Sequence, residues 1–138
     1  MSNLLVQNIK HTNNTTSMAI DTSGQVTIRG EGSATTTNLQ QGLAKQWGRV
    51  VQTSTQSLAD SLNTSSISDT GTGKTVFVFS NNMRSGTDYS LLGTANQEGC
   101  GTEHSTMTAS QYEIRVQSND GSFADASQVS TAIMGDLA

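Results

Sequence analysis

Proline is missing from this chain of 138 residues, cysteine occurs once, aromatic residues make up 4% and charged residues 13%. Each shortage closes off a class. The lone Cys100 cannot form an internal disulfide, so stability has to come from packing, hydrogen bonding or assembly. A core with so few aromatics is thin for a lone small domain, which points to association between copies. No run approaches about 18 consecutive apolar residues, and residues 1–20 lack the basic start and apolar middle of a secretory signal. Neither a membrane nor signal-led export is expected. The cations are scattered at Lys10, Arg29, Lys45, Arg49, Lys74, Arg84 and Arg115, and the formal net charge is −4. Without a basic surplus to displace counterions from phosphates, nucleic acid is not an expected partner.

What the chain does have is hydroxyl and amide: Ser and Thr make up about 28% of it, Asn and Gln about 15%. Polar, charge-poor sequences can be disordered, but disorder usually brings proline, high net charge and few β-branched residues. Here Thr, Val and Ile recur in short alternating runs. The pattern predicts an all-β protein with Ser/Thr-rich loops.

The first thirty residues read as an extended arm with Leu4, Val6 and Ile9, then a hairpin with Met18 and Ile20, the turn Asp21-Thr22-Ser23-Gly24, and Val26 and Ile28. Alternation puts the apolar side chains of the hairpin on one face. Two strands cannot keep such a face dry alone, so the rest of the chain or another subunit must cover it. Gly30 to Asn38 reads as flexible linker. The expected division is a docking arm and hairpin over 1–30, a linker over 31–42 and a β-sandwich body over 43–138. Leu39, Leu43, Trp47 and Val50 have helical spacing, but Gly42 and Gly48 favour a strand. Beyond them Ile67 precedes a turn at Ser68–Gly73, and Lys74–Phe79 is the strongest strand, apolar on both faces and therefore central. Further strands are predicted at Tyr89–Thr94, Thr102–Thr108, Gln111–Gln117 and Val129–Met134, with a turn at Ser118–Ser122 built on Asp120-Gly121. Six to eight such strands without long helices predict a β-sandwich or jelly roll.

Chemical motifs are weak. Gly71-Thr72-Gly73-Lys74-Thr75 ends like a phosphate loop, but Ser68 stands where its first glycine belongs, and a strand former follows instead of a helix. Cys100, Glu103 and His104 are close in sequence, yet one thiol and one imidazole fall short of a tetrahedral metal site unless symmetry copies them. His11 has no sequence neighbour to work with. Asp60, Asp69, Asp88, Asp120 and Asp125 sit beside Ser, Thr, Gly or Asn, where Asp serves turns rather than paired acid–base chemistry. No catalytic activity, cofactor or metal is expected. Trp47, Tyr89 and Tyr112 are the candidates for a sugar-stacking platform, with core or interface anchoring as the commoner role of such residues.

The stretch Val6–Val26, with Ala44-Lys45-Gln46-Trp47, Leu62–Gly73 and Glu113–Gly121, resembles the N-terminal module and following domains of structural proteins of marine tailed bacteriophages, including cyanophages. This resemblance implies a trimeric, non-enzymatic component of the virus particle, made in the host cytoplasm. On that footing the expected function is capsid decoration, a cement protein docking on the major capsid protein or another virion protein. The docking residues are Leu4, Leu5, Val6, Ile9, Met18, Ile20, Val26 and Ile28. The alternative is a tail or head fibre in which Trp47, Tyr89 and Tyr112 contact host-surface glycans.

Overall fold

A computed structural model of the chain describes residues 7–10, 16–29, 36–39, 42–96 and 101–138. Every regular element among the described residues is a strand, and the strands form three antiparallel sheets. The all-β expectation holds. The chain divides into two compact units, Met1–Leu43 and Ala44–Ala138.

The first unit is a four-stranded meander of β1 (Asn8–Lys10), β2 (Thr16–Ile20), β3 (Val26–Arg29) and β4 (Thr36–Asn38). Its central hairpin turns as the sequence predicts. The Asp21 carboxylate accepts the N–H groups of Ser23 and Gln25, both at 2.8 Å, and Gly24 takes the positive φ of +80° that closes the turn. Thr36–Asn38 corrects the linker reading: this segment is a strand, paired with β3 through Thr27↔Asn38, Ile28↔Thr37 and Arg29↔Thr36. Its three polar residues carry no alternation to betray it. Thr has good strand propensity, and the pairing is supplied by the neighbour.

The second unit contains β5 (Ala44–Val51), β6 (Ser57–Leu62), β7 (Thr64–Gly71), β8 (Lys74–Phe79), β9 (Tyr89–Ala95), β10 (Gly101–Met107), β11 (Gln111–Gln117) and β12 (Val129–Gly135). One sheet has the order β6-β5-β12-β9 and the other β10-β11-β8-β7. Strand, not helix, wins at β5, because Gln46, Gly48 and Val50 alternate inward. At Gly48 a Cβ would come within 2.6 Å of the Phe77 ring, so glycine is what lets the other sheet approach. The predicted turn at Ser68–Gly73 contracts to Thr72-Gly73. Ser68–Gly71 belongs to β7, an edge strand that is mostly exposed and so tolerates Ser, Asp and Thr. Jelly-roll order is not confirmed: β5–β6, β7–β8 and β10–β11 are sequence-adjacent pairs within one sheet, while the other four connections of this unit pass between the two sheets.

The two sheets share one core: Val50, Tyr89, Val129 and Ile133 from one, Phe77, Phe79, Tyr112, Ile114 and Val116 from the other. Phe77 stacks on Tyr112 at 5.1 Å, and Phe79 meets Tyr89 edge-on at 5.8 Å. Polar side chains complete the interior. The Tyr112 hydroxyl donates to Gln46 Oε1 at 3.1 Å and lies 2.7 Å from Thr131 Oγ1, while Gln46 Nε2 donates to Thr64 Oγ1 at 3.1 Å. Burial pushes the Tyr112 phenol well above its ordinary range, against the pull of its hydrogen bonds to Thr131 and Gln46. It stays a neutral donor. Tyr112→Phe keeps the stacked ring but strips the buried Gln46 oxygen of its donor, at an expected cost of about 1–3 kcal/mol. Urea unfolding of the variant should therefore show a lower midpoint with an unchanged slope.

Candidate docking surface

Register builds an apolar face on the N-terminal sheet. Ile9 lies opposite Met18, Met18 opposite Ile28, and Ile20 opposite Val26, so these five side chains share one side. The row Asn8, Ala19 and Thr27 occupies the other side. Among the described side chains of this unit none is buried, and Ile9 and Ile20 are 54% and 38% exposed. Among the described residues this unit forms one sheet and no second layer. Full burial of a Val, Ile or Met side chain is worth about 1.5–3 kcal/mol, so five partly open ones offer several kcal/mol to whatever seals them. Leu4, Leu5 and Val6, the remaining expected docking residues, lie outside the described residues, as do His11 and Cys100.

The three aromatics assigned to glycan contact do not come together on a surface. Tyr112 is fully buried and Tyr89 is 7% exposed, both held in the core by ring contacts and hydroxyl bonds. This corrects the platform reading for both tyrosines. Only Trp47, 38% exposed on the outward side of β5, can meet a ligand. Around it lie residues that local patterning did not single out: Leu62, Leu92, Ala132 and Met134.

Carboxylates among the described residues serve the backbone or ion pairs. Asp69 accepts from Gly71 N–H, Asp120 from Ser118 Oγ and Ser122 N–H, and Asp125 from Gly73 N–H at 2.6 Å. The last of these fastens the segment that resembled a phosphate loop as a hairpin turn. Asp88 is held below its ordinary value by the hydrogen bond from Arg84, which also lies 3.6 Å from Asp136. Among the described residues no three His, Cys, Asp or Glu side chains converge on one point. Glu113 is the most covered acid among the described residues, bonded to Arg115 Nε at 2.6 Å and to the Thr70 hydroxyl at 2.9 Å. Desolvation pushes its carboxyl up, but those two bonds and the charges of Arg115 and Lys74 together outweigh it and leave it below the ordinary range.

Comparison with protein-family models, curated proteins and solved structures finds no match to this chain. Function has to be argued from the surfaces themselves.

A carboxyl held low in the folded state contributes stability that is full above the ordinary glutamate pKa of about 4.3 and is lost as pH falls through the folded value. Glu113→Gln should accordingly flatten the acid limb of the stability profile while changing its neutral plateau by a smaller, constant amount. Denaturation midpoints measured between pH 2 and pH 7 check this; an acid limb identical to wild type would refute the role of Glu113.

Proposed function

We propose that this chain is a structural component of a bacteriophage particle, a homotrimeric decoration protein that fastens to the capsid through its N-terminal sheet. The single supporting observation is the one-layer sheet whose Ile9, Met18, Ile20, Val26 and Ile28 share an open face. An isolated sheet of this kind becomes stable by gaining a second layer, and the capsid surface supplies one. Outermost strands β1 and β4 add main-chain groups that can extend a neighbour's sheet. Each attachment is modest. Three copies held together bind as one unit, which raises retention without any new contact.

The resemblance of Val6–Val26 to phage structural proteins points to the same role, with the major capsid protein as the partner and the particle surface as the location. The fibre reading loses two of its three contact residues to the core. Nothing in the proposed role is enzymatic; the work is mechanical.

Charged residues on the apolar face should abolish docking while sparing the body, which is a separate compact unit. Full-length chain carrying Met18→Asp and Ile28→Asp is expected to be retained on purified particles lacking the protein at least roughly tenfold less than wild type. The thermal transition of the body should not move. Undiminished retention would reject the docking role.

A further inference from the structure

The two outer faces of the body have opposite chemistry. Along β10-β11-β8-β7 the two outward valines, Val76 and Val78, are half-buried and flanked by polar residues, Arg115 pairs with Glu113 and lies 3.9 Å from Glu103, and the Lys74 ammonium sits 4.4 Å over the Phe123 ring. The other outer face should be equally polar, since outward positions of a sandwich normally are. It is not. Register aligns Leu62 with Trp47, Trp47 with Ala132 and Ala132 with Leu92, so one row crosses all four strands of β6-β5-β12-β9. Met134, two residues beyond Ala132, extends it. Leu62 is 48% exposed, Trp47 38%, Leu92 56% and Met134 36%. A shallow groove of about 280 Å³ runs beside the row, lined by Leu92, Gly93, Thr94, Ser130, Thr131 and Ala132.

The geometry points to this face as the surface through which copies of the chain associate, so that its occupant is the same face of another copy. Charge is the first argument. One register step outward from Trp47, Arg49 lies opposite Asp60, yet among the described residues no ion pair within 4.0 Å joins them. In a closed ring of three, each copy can set its Asp60 against the Arg49 of the next. The strand residues of this face carry two cations, Lys45 and Arg49, and one acid in a chain whose net charge is −4. Copies meeting here escape the acidic repulsion that would oppose contact elsewhere.

Composition is the second argument. Trp, Met and Arg beside uncharged aliphatics is the make-up of an interface centre, whereas a sugar platform calls for several aromatic faces, and this row holds one ring. Size sets the strength. Four strands at about 4.8 Å spacing and roughly 3.3 Å per residue give a face near 20 Å on each side, or about 400 Å² per copy and about 800 Å² for two copies. That is below a standard specific interface, so association should be weak and strengthen when copies are held close. The inference rests on the homotrimer part of the proposed function and is independent of where the protein docks.

Sedimentation velocity on the full-length chain, from about 1 to 100 µM, tests it. Wild type should form a closed trimer within this range, and one that stops at the dimer overturns the inference. Leu92→Asp and Met134→Lys, both at exposed positions, should each weaken it at least roughly thirtyfold with unchanged far-ultraviolet dichroism. Arg49→Asp should weaken it about tenfold, and the reversed pair Arg49→Asp with Asp60→Arg should restore it. A wild type that stays monomeric throughout overturns the inference, as does an assembly indifferent to Leu92→Asp and Met134→Lys. A monomer that binds glycans and loses them on Trp47→Ala also overturns it and gives the face to sugar. Particle retention reads the docking sheet and solution mass reads this face, so either can fail alone.

Discussion

The stack of Phe77 on Tyr112 is the contact on which the body depends. The chain has six aromatic residues, and four of them, Phe77, Phe79, Tyr89 and Tyr112, lie between the two layers. Concentrating them there gives one well-packed interior and leaves little bulk for anything else. Gly48 belongs to the same arrangement, because a side chain at that point would displace the Phe77 ring and force the layers apart. With its bulk committed, the chain has two further sheet faces on which apolar side chains stay exposed or half-buried among the described residues.

Scarcity of hydrocarbon also shapes the core itself. Gln46, Gln52 and Thr75 are buried where Leu or Val would ordinarily stand, and each is matched. Gln52 donates to Thr75 Oγ1 and accepts from the Ala126 N–H, while Thr75 donates to Gln56. Among the described residues no buried side-chain polar atom lacks a partner. Such bonds add little net stability compared with their cost when broken, so they fix which strand meets which more than they strengthen the whole. A sequence rich in hydroxyls and amides thus obtains register from groups that contribute little to cohesion.

This division explains what could be read in advance. Lys74–Phe79 and Gln111–Gln117 were legible to the residue because central strands must be apolar inside, and Asp120-Gly121 announced its turn. Tyr112 also shares its side of β11 with Ile114 and Val116, a local sign that it faces the core rather than a ligand. Strands β4, β6 and β7 were missed because edge positions accept Ser, Thr and Asp without alternation; their partners define them. The row Leu62, Trp47, Ala132 and Leu92 was invisible for a stronger reason. Its members come from four separate strands, and only the register between those strands aligns them. Local pattern shows which face a residue takes within its own strand, never which distant residue stands beside it.

The two open faces differ in what they can discriminate. On the N-terminal sheet the apolar row is two exposed Ile side chains beside half-buried Met18, Val26 and Ile28, and burial of such groups is non-directional: it rewards any apolar surface of suitable shape. Selectivity there has to come from the edge strands, whose main-chain groups demand a strand in the right direction. On the body the apolar row is bordered by one acid and one base held a strand apart, and that pairing rejects partners lacking the opposite arrangement. A permissive face is what the proposed attachment to a shell of many equivalent positions calls for. A selective one suits recognition of the same chain.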